Sequence, residues 1–181
     1  MLFSSFCDYL EKLEGTASRN EMTVILADMY KNMQPEEARL ATYLVQGQLG
    51  PSFDNPNFGL AEKQIVKAIG GSTEVNFKKF GDLGSAIEAS STQIKNKFKI
   101  SDIFEKLLEI TKVEGIGSQE GKQQQVRDLV EKLSGREAKY VIRIILGKLR
   151  TGFSDMTILD ALSWMIVGDK SKRNEIEEMF N

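Results

Sequence analysis

The apolar residues of this chain return every three or four positions along most of its length, the spacing that lines one face of an α-helix. Phe3, Phe6, Cys7, Leu10 and Leu13 form the first such stripe, and Gly15 ends it. "SRNE" at 18–21 has the form of a capping box, in which Ser18 accepts from the amide three residues on while Glu21 reaches back. It opens a second helix with Met22, Ile25, Leu26, Met29 and Met33 inward. Pro35 suits the first turn of a third helix carrying Leu40, Tyr43 and Leu44. Residues 47–59, "GQLGPSFDNPNFG", hold three glycines and two prolines and read as a loop. A helix with Ile65, Val66 and Ile69 inward is predicted at about 60–69.

The stretch 72–101 is polar and broken by Gly81 and Gly84, which predicts short helices and a mobile connection near 90–99. Ile103, Phe104, Leu107, Leu108 and Thr111 then restore the stripe, and the turn "EGIGS" at 114–118 separates it from Val126, Leu129, Val130 and Leu133. A second capping box, Ser134 with Glu137, opens a helix running through "YVIRIIL", and Ile158, Leu159, Leu162 and Ile166 stripe the next. No segment alternates with period two for long enough to make a strand. The predicted class is all-α, a compact multi-helix domain spanning 1–181.

With 181 residues, 41% of them hydrophobic, the chain can bury a substantial core. Cys7 is its one cysteine and histidine is absent, which excludes an internal disulfide, a zinc site built on Cys and His, and every His-based triad. No apolar run reaches membrane-spanning length, and the N-terminal "MLFSSFCDYLEKLEG" is amphipathic and acidic where a signal peptide is basic and then uniformly apolar. A soluble, cytoplasmic protein without a membrane partner is expected. The net charge of −2 hides an uneven distribution: residues 110–153 carry nine Lys/Arg against five Asp/Glu, whereas residues 1–70 carry six against nine. A localised basic excess on an acidic body is one footprint of a nucleic-acid face, though a weak one.

The turns "EGIGSQEGK" (114–122) and "GKLRTGFSD" (147–155) share a layout of apolar helix, glycine pair, serine and next helix. Glycine opens backbone conformations closed to other residues and lets a surface approach the peptide groups. A serine N-cap, Ser118 or Ser154, leaves the first amides of the following helix facing outward, which suits a phosphate oxygen. Lys122 in one turn, and Lys148 with Arg150 in the other, add mobile positive charge. The plainer alternative stands beside this: glycine at a helix end is an ordinary stop signal, and adjacent cations complement the dipole. Nothing here assembles a catalytic set, because Glu36–Glu37 and Glu177–Glu178 read as solvated helix faces, Cys7 as core, and no phosphate loop, serine-nucleophile elbow or metal-ligand set occurs.

At "GREAKYVIRIILGKLRTGFSDMTILDALS" the chain resembles the N-terminal DNA-binding domain of ATP-dependent DNA ligases of the archaeal and eukaryotic replicative type. Further similar segments run in the same order: "EKLEGTASRNEMTVILADMY", "YLVQGQLGP", "FGLAEKQIVKAI", "FGDLG" and "EGIGSQEGKQQQVRDLV". The resemblance implies two pseudo-symmetric helical halves and sequence-independent binding of nicked duplex through the minor groove and backbone, in replication, repair and recombination. It implies DNA contacts at Gly147, Lys148, Arg150 and Gly152, at Gly115, Gly117, Ser118 and Lys122, and at Arg19. Lys148 stands where many relatives have arginine, and Gly121 where others carry a charge. ATP and Mg2+ are implied for the parent enzyme, with no cofactor or metal bound by this stretch. The family's adenylation motif K-x-D-G is missing, since no Asp-Gly occurs in the sequence, so a fragment without catalytic residues of its own is expected. Some relatives dock on a sliding clamp through a glutamine-led motif, and Gln93 to Phe98 is the corresponding segment. A helical protein-interaction scaffold without a DNA role is the competing reading. A eukaryotic source would make the location nuclear.

Overall fold

A computed structural model describes residues 1–90, 97–149 and 151–180, the last without its side chain. Eleven α-helices occupy the described residues: α1 Phe3–Glu14, α2 Arg19–Lys31, α3 Pro35–Val45, α4 Glu62–Ile69, α5 Thr73–Phe80, α6 Leu83–Ser90, α7 Ile100–Thr111, α8 Ser118–Val130, α9 Gly135–Ile145, α10 Asp155–Val167 and α11 Arg173–Phe180. The only extended pairing among the described residues is a single antiparallel bridge, Leu2 to Lys99. The all-α expectation holds.

The helix α9 runs through the centre. Every residue from Glu137 to Ile145 is buried, so it is enclosed on all sides and not on one stripe alone. Its neighbours are α1 and α6, while α10 packs mainly along α2 and α8 lies against α4 and α7. Two glycines set how closely α6 approaches α9. A Cβ on Gly84 would lie 2.9 Å from Arg143 Nε and 3.1 Å from the Lys139 carbonyl, and one on Gly135 would lie 2.8 Å from the Glu88 carbonyl. Gly84 is therefore not the helix breaker its sequence context suggests; it sits inside α6 as the contact point with α9. Gly81 is a true stop, closing α5 in the left-handed conformation.

Because α9 is buried all round, its charges are answered internally. Arg143 pairs with Glu14 of α1 and, at 2.7 Å, with Asp82 beside α6. Lys139 lies 3.3 Å from Glu88, and the Tyr140 hydroxyl donates to Glu14 at 3.1 Å. At the mouth of this network Arg136 meets Asp8 at 2.7 Å and Glu11 at 3.1 Å. Burial alone pushes the Asp82 carboxyl upward, but hydrogen bonds from Arg143 and Ser85 outweigh it and hold its pKa at about 2. Burial, and then Glu14, push the Tyr140 hydroxyl far up. Two of the cations of residues 110–153, Lys139 and Arg143, are thus paired in the interior with Glu14, Asp82 and Glu88, so the basic excess counted from the sequence overstates the charge at the surface.

Local signals fare unevenly. Ser134 and Glu137 form the full reciprocal box that opens α9. At α2 only half of the expected box is present: Ser18 accepts from the Glu21 amide at 3.4 Å, while Glu21 takes the Thr16 hydroxyl at 2.5 Å. Ile166, expected on the buried stripe of α10, is 61% exposed. Of the connection predicted near 90–99, residues 91–96 lie outside the described residues. The following stretch is held in place, with the Phe3 amide donating to the Phe98 carbonyl at 2.8 Å and the Ile100 amide to the Met1 carbonyl at 3.2 Å.

Candidate nucleic-acid interface

The two glycine turns have the same backbone character. Gly115 and Gly117 have φ of +89° and +79°, Gly147 and Gly152 of +62° and +65°, all in the left-handed region that a side chain disfavours. A Cβ at any of the four would meet nothing of the protein within 4 Å. Conformation, not internal crowding, demands glycine here, and each turn presents bare peptide to the outside. The capping differs from expectation: Gly117 is the N-cap of α8 and Ser118 its first helical residue, with its amide donating to the Gly115 carbonyl at 3.2 Å. Ser154 does cap α10 by position, and its hydroxyl takes no amide of that helix.

The helix expected at about 60–69 is present as α4, and it has a role its sequence does not show: it ties the turns together. The first turn of α4 reaches both: Glu62 Oε1 pairs with Lys148 Nζ at 2.8 Å, and Gln64 Nε2 donates to Gln119 Oε1 at 3.1 Å. The loop before α4 closes the same face from beneath. Its Phe58 carbonyl accepts from Lys122 Nζ at 3.1 Å, the Val45 carbonyl at the end of α3 accepts from the Thr151 hydroxyl at 3.3 Å, and Gln46 donates to Asp155 at 2.5 Å. Gln119, just after the first turn, and Lys148 of the second are thereby tied to the first turn of α4, while Thr151, beside Gly152, is tied to the end of α3.

The remaining expected contacts behave differently. Lys122 is 9% exposed with its ammonium turned onto the Phe58 carbonyl, so it fastens the loop to α8 and is not a mobile surface cation. Between Val113 and Val126 it is the sole lysine or arginine, which leaves the first turn without an exposed cation. Its tip carries instead a fully exposed Ile116. Arg19 is exposed at the start of α2, but away from the turns. Its neighbour Asn20 accepts from Lys170 at 3.2 Å, and Lys170 follows the far end of α10, a helix of 13 residues. At 1.5 Å per residue that separates Arg19 from the second turn by about 20 Å. Arg150 lies outside the described residues.

The other candidates are structural. Cys7 is wholly buried, and desolvation followed by the charge of Glu137 raises its thiol well above the ordinary range. Glu37 closes the start of α3 and is lowered by a hydrogen bond from the amino group of Met1. Phe98 is half-buried against the core, so the single aromatic on which clamp docking relied already has an internal partner, and Gln93 lies outside the described residues. No group of three or more metal-ligating side chains occurs among the described residues. No K-x-D-G occurs in the sequence, and no chemical step is assigned to the residues present. No described helix is long and apolar enough to cross a membrane.

Residues 2–163 match the family described as DNA ligase N terminus. The chain belongs to that family. It is 37% identical to a probable DNA ligase of Dictyoglomus turgidum, the alignment covering 100% of this chain and 32% of that protein. It is similar to DNA ligase 1 of Methanosarcina mazei, at 32% identity over 100% of this chain and 32% of the relative. A DNA ligase of Cenarchaeum symbiosum is 34% identical over 100% of this chain and 33% of its own length. The chain thus spans about a third of the ligases it matches. In this ligase family member the glycine turns and the α4 bridge lie within the matched residues.

Proposed function

We propose that this chain holds duplex DNA at a nick, as the DNA-binding part of an ATP-dependent DNA ligase, through backbone and minor-groove contacts without base readout. The observation that carries the reading is the pair of open, left-handed glycine turns, held on one face by α4 in a member of the DNA ligase N-terminus family. Bare peptide can come within hydrogen-bond distance of phosphate or sugar, and Lys148 and Arg150 supply charge beside it. Such contacts position a duplex and carry no sequence information. Arg19, about 20 Å away along α10, meets a separate stretch of backbone on this reading. Joining the nick, with ATP and Mg2+, belongs to the whole ligase; this chain alone, without K-x-D-G, is expected to leave a nicked duplex unsealed.

The test is binding of nicked duplexes of unrelated sequence across a salt series. Lys148→Ala with Arg150→Ala should weaken all of them alike and flatten the slope of log affinity against log salt by about 0.9 for each phosphate no longer neutralised. Unchanged affinity and slope in the double variant would reduce the second turn to a helix stop and overturn the reading.

A further inference from the structure

The two turns share a backbone conformation but present opposite chemistry. The second offers Lys148, half exposed and paired with Glu62 at 2.8 Å. The first, with Lys122 buried, offers one large side chain at its tip, Ile116, fully exposed between two left-handed glycines. An aliphatic residue so placed gains nothing from the fold: it touches no core, and burying it elsewhere would be favoured by the hydrophobic effect. The glycines on either side strip the tip of every other side chain, leaving a projection one residue wide. The tip lies three positions before Gln119, which Gln64 of α4 ties to the same bridge that holds Lys148.

We infer that Ile116 is a specificity-determining contact for deoxyribose, entering the minor groove between the sugar edges of the two strands. The inference rests on the duplex-binding reading above. The minor groove of B-form DNA is about 6 Å wide, which admits a single bare-flanked side chain and excludes a broader tip. Its walls are sugar C–H groups, which meet an aliphatic side chain on any sequence. A ribose strand places 2′-hydroxyls along that wall, and an aliphatic contact would desolvate them without offering a hydrogen bond. The first turn therefore contributes affinity that salt does not screen, together with a preference for DNA over an RNA–DNA hybrid.

The experiment compares wild type, Ile116→Ala and Ile116→Leu on a nicked DNA duplex and on an RNA–DNA hybrid of the same sequence, across a salt series. Ile116→Ala should lose on the order of three- to tenfold in affinity for DNA, the scale of withdrawing a partly buried aliphatic group. Its salt slope should match wild type, its affinity for the hybrid should change less, and Ile116→Leu should restore most of the loss. Because the residue is fully exposed, far-UV circular dichroism of the variants should be unchanged. Equal affinity of Ile116→Ala and wild type for DNA, or equal losses on both duplexes, overturns the inference while leaving duplex binding intact. Failure of the wild type to bind duplex at low salt overturns both readings.

Discussion

Lys148 is held by Glu62 at 2.8 Å, so a phosphate that reaches it competes with a carboxylate already in place. Both partners are partly solvated, at 50% and 30% exposure, and exposed pairs of this kind are worth about 0.2–1 kcal/mol. Glu62→Gln should accordingly tighten duplex binding by about two- to fivefold at low salt, with the gain shrinking as salt screens the charges. A loss of affinity in that variant, measured by the same titrations, would mean that Glu62 aims Lys148 and does not restrain it. None of this is visible in sequence, since Glu62 and Lys148 are far apart in the chain. Lys122 teaches the same point from the other side: beside a glycine turn it reads as a surface cation, yet its partner is a carbonyl 64 positions away. Ile116 is legible in the sequence as an aliphatic residue between two glycines with no periodic stripe to join, though the glycines, serines and cations around it are the stronger signal.

At the scale of elements, what is local was readable and what is mutual was not. The stripes of α1 and α7 and the reciprocal box at Ser134 and Glu137 depend on spacings of three or four residues, and the structure keeps them. The role of Gly84 depends on where α9 lies, so sequence context mistook a packing point for a break. A methyl group there would press on Arg143 and on the backbone of α9, which cannot yield as a side-chain end can. Gly84→Ala should therefore cost about 1–3 kcal/mol despite the better helix propensity of alanine. Urea unfolding would show it as a lower midpoint at unchanged slope. A gain in stability would mean that α6 and α9 part without penalty.

Across the whole molecule, α9 is a buried charged axle, and its pairing makes stability depend on pH. The folded pKa of Asp82, about 2, lies below its ordinary value of 3.8, so folding favours the ionised form. Its contribution is present in full above the ordinary value and is lost as pH falls through about 2. The shift corresponds to about 2 kcal/mol, and Asp82→Asn should flatten this acid limb while lowering stability near neutrality, where Arg143 loses a partner. Denaturant melts across that pH range test the sign; equal acid sensitivity in Asp82→Asn would move the effect to other carboxylates. The bridge made by α4 has a different consequence. Since Glu62 and Gln64 belong to one helical turn and reach Lys148 of the second glycine turn and Gln119 at the start of α8, the spacing between the two turns is gauged before any ligand arrives. On the proposed reading the pair works as a calliper with fixed jaws: a groove of matching width seats against both at once, while one too wide or too narrow is touched by a single jaw and slips free.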